Sequence, residues 1–447
     1  MPVSTAGDAP APVSLRAAFG FWLKLGFISF GGPAGQIALM HLELVERRRW
    51  ISERRFLHAL NYCMLLPGPE ATQLAVYIGW LMHRTAGAIA AGALFVLPSL
   101  LVLIAFSYVY MAFGAVPAVA GVLEGVKPAV VAIVLGAAWR LGRRTLNNPP
   151  LIALAVLAFA AIAIGQLPFP LIVLAAALTG AAGARLRPQW FEAAGGHAAK
   201  AGANRAALID DDTPTPAHAV FAWRRLARTA AAGIALGLLV WLPLAWRFGG
   251  GGTLAQMGWF FTKAAMLTFG GAYAVLPYVY QGAVLKYYWL SGAQMVDGLA
   301  LGETTPGPLI MVVAFVGFVG AWQAALFGGG DLARFCAGAA GAAVATWFTF
   351  LPSFIFILAG GPLVEASRDD IRMTAPLTAI SAAVVGVIVS LALFFGQHVF
   401  LRDGGINLQA LAIGAAAAVA LFGFRVGPIK LIAACALAGL VLSYRHG

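Results

Sequence analysis

Charge is what this chain has least of. Only 10% of its 447 residues are Asp, Glu, Lys or Arg, against roughly 25% in a soluble domain. A water-facing surface cannot be built from so little charge, and 61% of the residues are hydrophobic, so the bilayer is its solvent. Carboxylates are the scarcer sign: 17 acidic residues face 29 basic ones, for a net charge of +12. That balance would suit nucleic acid, but the bases are spread over short loops between apolar spans, where they mark cytoplasmic sides. Nucleic acid is therefore excluded as a partner. Cysteine is nearly absent. Cys63, Cys336 and Cys435 lie far apart in apolar segments and give neither a disulfide framework nor a metal-ligand spacing. His41, His58 and His83 lie near span ends beside arginines and match no ligand motif. No aligned His, Asp and Cys group occurs inside the spans, so no catalytic residue, metal or cofactor is expected, and the chain does not read as an enzyme. Residues 1–14 lack the basic and apolar runs of a cleavable signal peptide.

What the chain does have is a second copy of itself. Lys24, Phe30-Gly31-Gly32, Trp50, Ser52 and Pro67-Gly68-Pro69 recur as Lys263, Phe269-Gly270-Gly271, Trp289, Ser291 and Pro306-Gly307-Pro308, all at one offset (263 − 24 = 239). Leu97-Pro98-Ser99 matches Leu351-Pro352-Ser353 at 254, and Ala129-Val130-Val131 matches Ala383-Val384-Val385 at the same 254. Paired apolar units interrupted by glycine and proline mark a transporter built from repeats.

Apolar runs near 86–112, 116–139, 230–246, 333–358, 374–396, 406–424 and 427–443 are long enough, or nearly so, to cross a core of ~30 Å as helices. Shorter runs at 151–165 and 168–184 are split by Gly165-Gln166-Leu167-Pro168 and predict a tight hairpin. The chain therefore divides into an N-terminal transmembrane repeat (1–184), a polar linker (185–228), and a linker helix with a C-terminal transmembrane repeat (229–447). The linker holds Gly195-Gly196, Asp210-Asp211-Asp212 and Thr213-Pro214-Thr215-Pro216, a composition that predicts a flexible cytoplasmic tether.

Charge suggests the topology. Arginines 47, 48, 49, 54 and 55 follow the first apolar segment, Arg84 the second, and Arg140, Arg143 and Arg144 the fourth. If all are cytoplasmic, the first two segments each return to the side they started from. Both are broken where that requires it, at Phe30-Gly31-Gly32-Pro33 and at Pro67-Gly68-Pro69. Glycine frees the backbone and proline ends a helix. In the second half only Lys286 replaces the arginine cluster, while Arg368, Arg372, Arg425 and Lys430 fall on the cytoplasmic side. The expected fold class is thus an all-α polytopic membrane protein of two inverted-topology repeats with re-entrant helical hairpins. Two fully spanning segments are the rival reading.

A half-helix that begins after a break presents unpaired N–H groups and a positive dipole end, which suits an anion. The expected donors are the amides of Glu70, Ala71 and Thr72, and of Leu309, Ile310 and Met311, with side-chain help from Thr72, Gln73, Thr304 and Thr305. The Gly-Gly breaks add half-helix starts near Ala34-Gly35-Gln36 and Ala272-Tyr273. The rival is that the breaks only shape packing. Lys24 and Lys263, each six residues before Phe-Gly-Gly, would draw in an anion or snorkel to an interface. Glu70 and Glu303 are candidates to couple proton uptake to anion movement; a structural hydrogen bond is the alternative. Glu124 and Lys127 form a local helical pair.

Phe30-Gly31-Gly32-Pro33, Leu66-Pro67-Gly68-Pro69 with Gln73 and Gly79, and Phe269-Gly270-Gly271 with Thr305-Pro306-Gly307-Pro308 resemble the paired motifs of the chromate ion transporter family, in its long-chain, two-domain form. The resemblance runs from about 15 to 443. It departs where the second Phe-Gly-Gly runs into Ala272-Tyr273. It implies export of chromate across a bacterial-type inner membrane, giving chromate resistance, with sulfate as the related anion. The substrate-binding set would then be Lys24, Gly31, Gly32, Pro67, Gly68, Pro69, Thr72, Gln73, Lys263, Gly270, Gly271, Thr304, Thr305, Pro306, Gly307 and Pro308. Alternating access between the repeats is the expected mechanism, with uniport, proton coupling and sulfate exchange all open. A sulfate or other oxyanion transporter and an anion channel are the alternatives. Glycine and alanine faces permit packing within a protomer or in a homodimer.

Overall fold

The computed structural model describes residues 10–30, 32–191, 206–214, 216–269, 271–366, 374–402 and 405–444. Gly31, Gly270, Gly195-Gly196, Thr215, Arg368 and Arg372, all used above, lie outside the described residues. The described chain is almost entirely helical. Its first half comprises α1 (Leu15–Ile28), α2 (Gly32–His41), α3 (Glu53–Leu65), α4 (Glu70–Phe113), α5 (Pro117–Thr145), α6 (Pro149–Ala163) and α7 (Phe169–Leu186). A single helix, α8 (Trp223–Phe248), separates it from α9 (Thr253–Met266), α10 (Ala272–Tyr280), α11 (Gly292–Thr304), α12 (Val312–Gln323), α13 (Asp331–Ala366), α14 (Thr374–Phe400), α15 (Leu408–Ala418) and α16 (Pro428–Ser443). Helices α4, α5, α7, α8, α13 and α14 are long and apolar enough to cross a bilayer.

The repeated residues acquire local roles. Ser52 and Ser291 are N-caps, their hydroxyls accepting from the amides of Arg55 at 3.2 Å and Gln294 at 3.1 Å, bonds worth ~1 kcal/mol each. Trp50 packs edge-on against Phe21 at 4.8 Å, and Trp289 against Phe260 at 5.4 Å. These two ring pairs again stand 239 apart in sequence. Even π-helical turns recur, at Leu42–Arg47 and Gln281–Lys286. The last two helices follow a third offset: Asn148 and Asn407 cap α6 and α15, 407 − 148 = 259.

Helix α4 is two arms. His83 and Arg84 leave helical geometry, Arg84 with φ +56°. A Cβ placed on Gly79 would strike the Gly87 carbonyl and the Ala91 methyl. Residues 79 and 91 would stand about 18 Å apart in a straight helix, so the chain reverses at 83–84. The second half repeats this close packing between Gly317 of α12 and Gly341 of α13.

The two halves interlock. Helices α6 and α7 pack on α14, whereas α15 and α16 pack on α5, and α5 packs on α14. Gly180 of α7 meets Ala375 and Ala379 of α14; Gly439 of α16 meets Gly121 and Gly125 of α5. Small residues allow this backbone approach, which maximises dispersion where water is absent. Helix α8 stands apart: only Gly233 of it is buried, and it packs on α13 and α9.

The linker, expected to be a free tether, is docked over its described part. Ile209 bridges Ile51, the Ser52 hydroxyl donates to Asp211 at 2.6 Å, and Arg55 donates to the Thr213 carbonyl. The His218 ring donates to the Trp80 carbonyl at 3.0 Å. Polar composition does not forbid docking when backbone groups on the other side, here at Arg49 to Ser52, need partners.

Candidate functional site: two crossings of broken helices

Each half breaks its helices twice, and the structure joins the breaks of one half to those of the other. Gly68 and Gly307 adopt φ +128° and +95°, a region that only glycine occupies without strain. The Gly68 amide donates to the Thr268 carbonyl at 2.8 Å, and the Gly307 amide donates to the Ser29 carbonyl at 2.8 Å. Ser29 and Thr268 each directly precede their Phe-Gly-Gly and are themselves 239 apart. The contact is reciprocal: the Pro-Gly-Pro of either half takes the Phe-Gly-Gly break of the other. Such reciprocity is the mark of a two-fold relation between copies. The four breaks therefore meet as two crossings.

The third repeated motif completes each crossing. A Cβ on Gly68 would strike the Ser353 hydroxyl and come within 2.7 Å of Gln73 Nε2, and a Cβ on Gly307 would come within 2.8 Å of Ser99 Cβ. Thus each Leu-Pro-Ser stands against the Pro-Gly-Pro glycine of the opposite half. Two glutamines of the first half serve the crossings without counterparts, since Val275 and Val312 occupy the matching positions. Gln73 Nε2 donates to the Pro67 carbonyl at 2.8 Å, and Gln36 Nε2 donates to the Gly307 carbonyl. The side-chain oxygens of Gln36, Thr72, Gln73 and Ser99 are buried and have no protein partner among the described residues. Buried polar atoms of this kind are normally satisfied by something; here four of them belong to residues of the breaks and the repeated Leu-Pro-Ser.

Other expected site residues are placed differently. The Thr304 and Thr305 hydroxyls donate to the Leu301 and Gly302 carbonyls at 2.7 and 2.9 Å, so their protons close the end of α11. Met311, an expected amide donor, instead donates to the Pro308 carbonyl at 2.9 Å as part of a 3₁₀ turn. Lys24 projects from the exposed face of α1 with Phe19, Leu23 and Phe27, away from the buried face that carries Trp22 and Leu25. Lys263 is half-buried and lines a cavity with Lys286. Glu70 begins α4 with Arg144 within Coulombic reach. Glu303 accepts from the Tyr273 hydroxyl and has Arg140 within reach. Tyr273, the departure from the family pattern, is thus the partner of a half-buried carboxylate.

Sequence reasoning missed Ser29, Thr268, Ser99, Ser353 and Asp297. The repetition of Leu-Pro-Ser was a usable signal for two of them. Asp297 had none: Tyr110 donates to it at 2.9 Å and Lys127 approaches it at 3.4 Å, while Lys127 also bonds Glu124 at 2.9 Å. The pair read as local in sequence therefore ties α5 of one half to α11 of the other.

The profile of the chromate transporter family matches residues 16–181 and 255–440, the two helix sets on either side of α8. A chromate transport protein of Pseudomonas aeruginosa is 30% identical over 451 residues, covering 99% of this chain and 96% of that protein. One from Cupriavidus metallidurans is 30% identical over 386 residues, covering 86% and 83%. A probable chromate transport protein of Synechococcus elongatus is 27% identical over 390 residues, covering 86% and 85%. No solved structure matches the chain. With six apolar helices of spanning length and a family profile matched across both halves, the chain is a multi-pass membrane protein that belongs to the chromate transporter family.

Proposed function

We propose that this protein is a secondary active transporter that exports chromate by alternating access, with sulfate as a competing or exchanged tetrahedral anion. The reciprocal Gly68–Thr268 and Gly307–Ser29 bonds carry this reading. They make the boundary between the halves coincide with the broken backbone, where a substrate would be held and where rocking of one half against the other would open either side. The membrane topology that fits is inverted, with the two-fold axis in the membrane plane, residues 47–55 and the linker cytoplasmic, and the protein in a bacterial-type inner membrane. Transporter, rather than enzyme, is also how the relatives are named.

Chromate and sulfate are dianions of similar shape. The first amides after Pro69 and Pro308, those of Glu70, Ala71 and Thr72 and of Leu309 and Ile310, supply several weak donors beside the crossings in place of one trapping charge. Thr72, Gln73, Gln36, Ser99 and Ser353 supply side-chain groups at the same places. Glu70 and Glu303, each within reach of an α5 arginine, are the candidates for coupling to protons. An inside-negative potential helps outward movement by roughly 2.3 kcal/mol per charge per 100 mV.

The test is labelled-chromate accumulation in everted vesicles, with and without excess sulfate, under set potential and pH gradients. Saturable accumulation inhibited by sulfate is expected. Sulfate flux without chromate flux would reassign the substrate, and flux of neither would remove the oxyanion reading.

A further inference from the structure

We infer a second oxyanion site, separate from the crossings, in a cavity of about 730 Å³ lined by Lys263 of α9 and Lys286 after α10, with Gln166, Gln281, Ser390 and Gln397 among its polar walls. Its ligand is a compact oxyanion, either free or carried on a phospholipid headgroup. The inference uses the inverted topology proposed above only to place the cavity, which then opens on the face opposite residues 47–55.

The argument comes from comparing the repeats. In the first half, bases of the equivalent turn have carboxylate partners: Arg47 and Arg48 pair with Glu43 at 2.6 and 3.4 Å, and His41 meets Glu46 at 3.3 Å and Glu53 at 2.6 Å. At an offset of 239, Glu43, Glu46 and Glu53 become Gly282, Leu285 and Gly292, while Arg47 becomes Lys286. The basic position is kept and all three carboxylates are gone. Among the described residues neither Lys263 nor Lys286 has a carboxylate partner; each instead lies over an aromatic ring, Trp259 at 5.4 Å and Tyr287 at 5.3 Å. Both lysines line the same cavity.

Two like charges on a half-open cavity walled by Phe260, Tyr278 and Leu391 repel each other, with Lys263 half-buried and Lys286 exposed at its edge. An anion between them removes that repulsion and accepts from both. Gln281 does not compete for it, since its amide is spent on the Leu167 carbonyl at 3.1 Å and the Phe169 amide at 3.0 Å. Those two bonds hold the α6–α7 turn as one wall of the cavity.

Lysine footprinting on the full-length protein tests this without relying on flux. In phosphatidylcholine nanodiscs at matched ionic strength, millimolar sulfate should slow acylation of Lys263 and Lys286 by about threefold, the protection given by free ligand at about twice its dissociation constant. Lys24 and Lys430, both exposed, should react as before. If sulfate fails but phosphatidylglycerol in the disc protects the same two lysines, the site stands and its ligand is a headgroup. No protection by either, or equal protection at Lys24, overturns it. Protection that persists in Gly307→Ala separates the fate of this site from that of the crossings.

Discussion

The amide of Gly307 donates to the carbonyl of Ser29 at 2.8 Å, across 278 residues of chain (307 − 29). Its twin joins Gly68 to Thr268 at the same length. Alanine at either glycine would face a positive φ and a clash, with Ser99 at Gly307 and with Ser353 at Gly68. Such backbone strain costs about 1–3 kcal/mol. Gly68→Ala and Gly307→Ala should abolish chromate accumulation in everted vesicles while leaving membrane insertion intact by immunoblot. Normal flux in both would remove the crossings from the mechanism.

Gln36 and Gln73 donate to carbonyls that the breaks leave free. Losing a buried donor strands its acceptor at a cost of about 1–3 kcal/mol. Gln36→Val and Gln73→Val should each lower chromate flux by about tenfold, the low end of that range. Thr305→Val, which removes a bond internal to α11, should change thermal stability more than apparent affinity. Equal kinetic effects at all three positions would count against a special role for the glutamines.

Lys24 and Lys263 are equivalent in sequence and not in surroundings. Lys24→Met should leave the apparent affinity for chromate unchanged, because its side chain is on the exposed face of α1. Under the proposed inverted topology, Lys263→Met should weaken affinity measured from the outer face. The two-sided comparison is made with right-side-out and everted vesicles.

Asp297 and Lys127 bind α11 to α5 with side chains 5% and 17% exposed. Removing one partner of a buried pair costs about 3–5 kcal/mol, whereas replacing both by apolar groups costs less. Asp297→Leu should lower the melting temperature in detergent sharply, and Asp297→Leu with Lys127→Met should recover much of the loss. A double-mutant cycle with no interaction energy would show the pair to be structurally idle.

His218, which lies outside the helices of spanning length, fixes the linker to the Trp80 carbonyl of α4. Burial, with the nearby Arg84 and Arg225 charges, holds its pKa below the ordinary value of 6.5, despite the opposing hydrogen bond to Trp80. The docked state thus prefers the neutral ring. Its contribution is complete above the undocked value and falls as pH drops below about 6.5, as the released linker takes up protons more readily. Protease cutting within the linker should rise on acidification through that range, and His218→Gln should flatten the rise.

Much of this was legible in the sequence because glycine and proline act locally. Pro67, Pro69, Pro306 and Pro308 lack amide hydrogens, and the helices end beside them as expected. The repeated serines cap helices by the same local logic. That Thr304, Thr305 and Met311 donate within their own turns was not legible, because an orphan group at a helix end can be satisfied locally and composition does not say which way a hydroxyl donates. The docked linker was missed because its partners, Arg49 to Ser52, lie more than a hundred residues away.

The sequence by itself determined that the chain lives in a membrane, that it is a doubled unit, and where each helix breaks. All three follow from local covalent facts: apolar side chains, matched spacing, and residues that free or forbid backbone angles. Only the tertiary structure decided that each Pro-Gly-Pro takes the other half's Phe-Gly-Gly, that Lys127 answers Asp297, and that one lysine of an equivalent pair lines a cavity while the other stands outside. Those outcomes depend on which segments pack together, and packing is settled by the shapes of surfaces hundreds of residues apart rather than by any residue's own preference.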